Sequence, residues 1–172
     1  SHEGALVVVD PAMGDDGMLY PVFGPEYVEA MRTLVKEATL ITPNFTEACF
    51  LLNEPCDMTA PSEEKLRAMT EKLAALGAKQ VVITSVPAGD DEIKVVSFDS
   101  VTGEYADRTT PRIPFTTCGT GDVFTSVVTG SLLRGESLAK AAALAMRFVS
   151  RVMEYTKEAG ADPREGVIVE PC

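Results

Sequence analysis

The sequence predicts an α/β fold: a mostly parallel sheet flanked by helices on both faces, with one antiparallel hairpin. Three observations carry that expectation. Short apolar runs alternate with longer segments whose apolar residues recur at helical spacing, the pattern of strand–helix–strand units. Runs such as residues 5–9 are continuously apolar, as expected of parallel strands buried on both faces. The polar stretch Ala88-Gly89-Asp90-Asp91 between two strand-like segments is a hairpin signal.

Taken in order, residues 5–9 form a central parallel strand that ends in Asp10-Pro11. Residues 25–38 place Tyr27, Val28, Met31, Leu34 and Val35 on one helical face, with Pro25 suited to the first turn. A short strand at 40–42 is stopped by Pro43. Asn44 then caps a helix through Ala48, Phe50, Leu51 and Leu52, with Glu47 placed for a capping box. Pro61-Ser62 opens another helix that ends at Leu76-Gly77, where Gly77 suits a left-handed terminal position. Strands are expected at 80–85 and 93–98. A turn near Thr102-Gly103 leads to a weaker strand at 104–108. Helices follow at 120–133 and 138–156, and 167–169 reads as a last edge strand. Neither internal repeats nor low-complexity tracts are present.

The length, 172 residues, fits a single α/β domain spanning 1–172 with a substantial core, and 45% hydrophobic residues indicate a globular chain. Fifteen basic against 26 acidic residues give a net charge of −11. Such a surface repels polyphosphate, which argues against nucleic acid and anionic membranes as partners. It also means that phosphate chemistry here needs a metal ion. No stretch approaches the roughly 18 apolar residues of a membrane span. Cys49, Cys56, Cys118 and Cys172 show no paired spacing, which fits a reducing cytoplasm better than a disulfide framework. Cys118, beside the glycine loop, has two readings, a thiol made reactive by the helix N-terminus or, favoured here, a small buried filler, and His2, at the extreme N-terminus, supports no catalytic role. The chain begins without Met and a strand pattern starts at Ala5, so an upstream segment is expected.

The most informative segment is Cys118-Gly119-Thr120-Gly121-Asp122, which runs into an apolar helix. Glycines let the backbone approach a bound group, and the new helix aims unpaired N–H groups at it, so this is an anion site. Asp122 has two readings: a helix cap, or a carboxylate that acts as base or metal ligand beside a phosphate. Three further motifs fall at expected strand ends: Asp10-Pro11, Thr42-Pro43-Asn44 and Thr84-Ser85. In sheets of this kind sites gather there. Asp10, Asp15 and Glu47 bring oxygen ligands that suit Mg²⁺. Each also has a local alternative: strand end, turn residue and capping-box partner. Thr84 and Ser85 offer hydroxyls to phosphate oxygens or to the hairpin backbone. Phosphoryl transfer needs alignment, charge neutralisation and a proton acceptor, and these residues supply all three.

Gly119-Thr120-Gly121-Asp122-Val123-Phe124, together with Asp10-Pro11-Ala12-Met13-Gly14-Asp15 and Thr42-Pro43-Asn44-Phe45-Thr46-Glu47-Ala48, resembles the ribokinase-like superfamily. Within it the match is nearest to the pyridoxal kinases, and it runs from Leu6 to about Thr156. The resemblance implies ATP-dependent phosphorylation of the hydroxymethyl group of pyridoxal, pyridoxine or pyridoxamine in vitamin B6 salvage. Asp122 would be the catalytic base, and Gly119, Thr120 and Gly121 the anion hole. Thr84 and Ser85 would meet the nucleotide phosphates. Asp10, Asp15, Glu47 and Thr42 would surround Mg²⁺, with Asn44 beside the phosphates. ATP and a B6 vitamer would be the small-molecule partners, and a homodimer is implied.

Family members are considerably longer, and this chain resembles only their C-terminal, nucleotide-binding portion. The N-terminal part of the fold is absent, and an apolar sheet edge or face is expected to be exposed. Hydroxymethylpyrimidine kinases of the same superfamily share the Asp-Pro and Pro-Asn motifs but usually carry Cys at the position of Asp122. They are the alternative, followed by a non-catalytic nucleotide-binding module.

Overall fold

A computed structural model describes residues 4–170. His2 and Cys172 lie outside the described residues. The chain forms two compact units, Ser1–Thr110 and Pro111–Cys172.

The first unit is built on a mixed five-stranded sheet. Its strands are β1 (Val8–Val9), β4 (Leu40–Ile41), β5 (Gln80–Pro87), β6 (Glu92–Asp99) and β7 (Glu104–Pro111), in that spatial order. β1 and β4 pair parallel, as do β4 and β5, whereas β5 and β6 are antiparallel. Register places Val9, Ile41 and Val81 side by side. These three, with Ile83 and Val96, form one core with helices α1 (Pro25–Val35), α2 (Phe45–Leu52) and α3 (Glu63–Ala75). α1 and α3 each bury one stripe, Val28, Met31 and Val35 from α1 and Leu66, Met69 and Leu73 from α3, whereas α2 is buried on nearly every side. Leu40, Val82 and Val95 on the opposite sheet face are buried too.

Several boundaries follow local chemistry. α1 starts with Pro25 at its first position, and Ser62 caps α3 by accepting the Lys65 N–H. Gly77, at φ +140°, stands where a Cβ would meet the Lys36 carbonyl oxygen at 2.6 Å, so only glycine fits the end of α3.

Three expectations about the first unit need correction. Residues 5–9 are not a central strand: only Val8–Val9 pair, on one side, and among the described residues β1 ends the sheet. Ala5 and Val7 are exposed there, which is the uncovered apolar edge anticipated from the sequence. β5 does not stop at Ser85 but continues to Pro87 across a bulge, because β6 keeps pairing with it. A second antiparallel hairpin, β2 (Gly14–Asp15) with β3 (Met18–Leu19), forms its own two-stranded sheet. Its turn, Asp16-Gly17 with both φ positive (48° and 79°), uses the dipeptide that favours two-residue hairpins.

The second unit packs α4 (Thr120–Leu133) against α5 (Leu138–Glu158). α5 is capped by Ser137 and buries Ala141, Ala142, Ala145 and Val152. Residues 167–169 are not a strand. They follow a 3₁₀ turn at Pro163–Glu165, and Ile168 bonds to a side chain, Thr156 Oγ1, in place of a sheet neighbour. No helix among the described residues is long and apolar enough to cross a membrane.

Candidate active site

In the first unit the parallel register brings the three predicted strand-end motifs to one edge. The Thr42 N–H donates to the Val9 carbonyl (3.1 Å), and the Thr84 N–H donates to the Pro43 carbonyl (2.9 Å). Asp10, Thr42-Pro43-Asn44 and Thr84-Ser85 therefore follow one another in space across β1, β4 and β5. The bulge puts Thr84 and Ser85 opposite a single residue of β6, and Ser85 adopts a left-handed φ of 53° and is exposed. Bulges of this kind re-aim side chains beside sites.

Asn44 and Glu47 make a complete capping box. Asn44 Oδ1 accepts the Glu47 N–H (2.9 Å), and Glu47 Oε2 accepts the Asn44 N–H (2.8 Å). The box also reaches outward. Glu47 Oε1 accepts the Met13 N–H (3.0 Å), Asn44 Nδ2 donates to the Gly14 carbonyl (2.8 Å), and Thr46 Oγ1 accepts the Gly17 N–H (2.9 Å). The start of α2 thus holds the hairpin that carries Asp15.

Glu47 is only 4% exposed, and its burial pushes the carboxyl up to about 7. N–H groups of Asn44, Met13 and Gly14 oppose that rise, and the negative charge of Asp10 adds to it. Desolvation outweighs three hydrogen bonds because a carboxylate loses far more hydration than such bonds return. The Tyr20 phenol is also pushed up, first by burial and then by Asp15, Glu47, Asp10 and Asp16. Those four acids therefore share one negative region with Tyr20. Sequence reasoning missed Tyr20, because only the hairpin brings it back: its N–H donates to the Met13 carbonyl (2.9 Å).

Among the described residues no group of three or more His, Cys, Asp or Glu forms a ready-made metal cage. The donors gathered around Asp10 are oxygens, which suits a hard divalent ion held by one or two carboxylates and by substrate phosphates.

In the second unit, Gly119 is the N-cap of α4, in the left-handed region at φ +87°, and no side chain caps the helix. The cap reading of Asp122 is therefore not what forms. Asp122 lies in the first turn, exposed, and only its carbonyl is used locally, accepting from Ser126 Oγ (2.7 Å). The Val123 N–H begins the helical ladder at the Gly119 carbonyl (3.1 Å), so the N–H groups of Thr120, Gly121 and Asp122 precede it. Cys118 is exposed, not the buried filler expected, since its loop runs over the surface of the unit.

A family model for phosphomethylpyrimidine kinase matches residues 1–166. The chain belongs to this family. Among curated relatives, the pyridoxine/pyridoxal/pyridoxamine kinase of Bordetella avium is 34% identical over 159 residues, covering 91% of this chain and 52% of that protein. A provisionally named phosphomethylpyrimidine kinase from Bacteroides thetaiotaomicron, solved with pyridoxal, superimposes with a TM-score of 0.93 at 38% identity. It covers 99% of this chain and 60% of its own. The pyridoxal kinase of Staphylococcus aureus, in complex with the ATP analogue AMP-PCP, superimposes with a TM-score of 0.70 at 29% identity, covering 86% and 52%. The chain spans about half the length of the curated relatives it matches, in keeping with the partial resemblance read from its motifs.

Proposed function

We propose that this chain supplies the nucleotide-binding and base-bearing part of an ATP-dependent kinase. The acceptor is the hydroxymethyl group of pyridoxal, and of pyridoxine and pyridoxamine, giving the 5′-phosphate used in vitamin B6 salvage. The observation that carries the reading is the start of α4: a helix of 14 residues entered through a left-handed glycine, with no side-chain cap and an exposed carboxylate in its first turn. A merely structural helix of this family would gain by capping its N-terminus.

In this reading Gly119, Thr120 and Gly121 present backbone N–H groups to the moving phosphoryl group, where the helix dipole adds favourable charge. Asp122 accepts the proton of the attacking hydroxyl. Thr84 and Ser85 donate hydroxyls to nucleotide phosphates. Asp10 and Asp15 are the Mg²⁺-side carboxylates. Thr42, Asn44 and Glu47 frame that region, the last two with their polar atoms already bonded to backbone. Mg²⁺, when bound, neutralises phosphate charge that this acidic chain would otherwise repel. The protein is read as cytoplasmic from its unpaired cysteine spacing and as a homodimer on the strength of family likeness.

A hydroxymethylpyrimidine kinase is the second reading, favoured by the description of the family whose model matches. Asp122 favours the first. The test is Asp122→Asn in the full-length protein, assayed with pyridoxal and with hydroxymethylpyrimidine under one set of conditions. Transfer to pyridoxal that disappears in the variant while nucleotide affinity stays is the expected result. Wild-type turnover retained by the variant overturns the base assignment, and transfer to the pyrimidine alone overturns the acceptor.

A further inference from the structure

The loop that leads into α4 is held by the stretch that follows α5. Asp162 caps the 3₁₀ turn by accepting the Arg164 N–H (3.0 Å), and the backbone then runs back along the loop. Thr117 Oγ1 donates to the Pro163 carbonyl (3.0 Å). Cys118 Sγ lies 3.6 Å from the Arg164 carbonyl oxygen. Gly166, at φ +86°, passes so near that a Cβ would sit 3.5 Å from the Cys118 carbonyl oxygen, and Val167 Cγ2 would lie 3.8 Å from a Cβ on Gly119. At the far end, the Ile168 N–H donates to Thr156 Oγ1 (2.9 Å). Thr156 is fully buried in α5 and donates in turn to the Val152 carbonyl (2.7 Å). The stretch is therefore fastened at both ends, to the loop at Pro163 and to the interior of α5 at Ile168.

This fastening matters because the helix that follows the loop has no cap of its own. Gly119, where α4 begins, has the widest backbone freedom of any residue type. We infer that residues 163–168 form a strap that sets the position of the Gly119-Thr120-Gly121 backbone, with Thr117 and Thr156 as its positioning residues. The inference rests on the reading of that backbone as the phosphoryl-binding loop. Donors that stabilise a transition state must be placed within a fraction of an ångström, whereas ground-state nucleotide binding is spread over many contacts. Loosening the strap therefore lowers kcat more than it raises KM.

The experiment uses the full-length protein with Thr117→Val and Thr156→Val, which keep shape but remove the hydroxyl, and Thr117→Ser and Thr156→Ser, which keep it. The expected result is a loss of about 10- to 100-fold in kcat for the Val variants. The KM for ATP should change less than about threefold, and the Ser variants should recover. Alkylation of Cys118 by iodoacetamide, followed on its own peptide, is expected to speed up in the Val variants only. Unchanged kcat and alkylation in both Val variants overturn the strap. So does a loss that tracks a lowered melting temperature and is not rescued by Ser. A wild-type protein that fails to phosphorylate any hydroxymethyl acceptor overturns the functional reading instead, and the alkylation rates then still decide whether the strap holds the loop.

Discussion

The start of α2 and the start of α4 are built in opposite ways. At α2, Asn44 and Glu47 close a reciprocal cap, and the same side chains reach out to Met13 and Gly14, leaving Glu47 almost wholly buried. At α4, a left-handed glycine begins the helix, no side chain closes it, and Asp122 stands in solvent. The first arrangement satisfies its own polar groups and so adds stability. The second leaves its first N–H groups without a side-chain cap, and under the proposed function these are the groups that an anion would satisfy. A capped helix holds a loop in place. An uncapped one is where chemistry has room.

The largest test of that contrast is Asp122→Asn. Its turnover is expected to fall by about 10²–10⁴, with the melting temperature unmoved, since the side chain is exposed and makes no cap. Glu47→Ala should behave the other way. Removing the acceptor for the Met13 and Asn44 N–H groups is expected to lower unfolding free energy by about 2–4 kcal/mol in denaturant titrations, because buried donors are left unpaired and a void opens. A Glu47→Ala protein as stable as wild type would mean that the cap is ornamental.

The pH dependence sharpens the same contrast. Glu47 has its carboxyl raised from 4.5 to about 7 by burial, so the folded protein holds that proton more tightly than the unfolded chain. Its contribution is fully present below about pH 4.5 and is lost as pH rises through about 7, a change of at most about 3 kcal/mol. Thermal melts across that window should show wild type losing stability relative to Glu47→Gln, which cannot ionise. Parallel curves would show that Glu47 does not titrate there. Gly119→Ala is the smallest effect expected, about 1–2 kcal/mol, because φ +87° strains any residue with a Cβ. Nucleotide binding by calorimetry should weaken with it. An Ala variant that melts and binds as wild type does would show that the loop relaxes freely.

Much of this arrangement could be read without coordinates. Asn44 and Glu47, three apart before an apolar run, spell a capping box, and a capping box formed. Pro25, Ser62 and Gly77 marked helix ends correctly because each acts on its immediate backbone neighbours. Reading failed where partners are distant. The run at 5–9 looked like a central strand, yet apolar character alone does not say which neighbours a strand finds. Residues 167–169 looked like an edge strand, but Thr156 Oγ1 supplied the acceptor that a strand would have. The bulge at Thr84-Ser85 comes from the register that β6 imposes on β5.

What the chain determined by itself is therefore its short-range grammar: the caps, the glycine turns, the helical stripes, and the order of acids, hydroxyls and glycines that marks the family. What only tertiary structure decided is the state of those groups. Glu47 is driven towards its protonated form by burial beneath a loop 34 positions away, and Tyr20 joins four acids only because a hairpin folds back over them. Local rules act through bonds and torsions between near neighbours, whereas desolvation and field depend on which distant residues come to lie alongside.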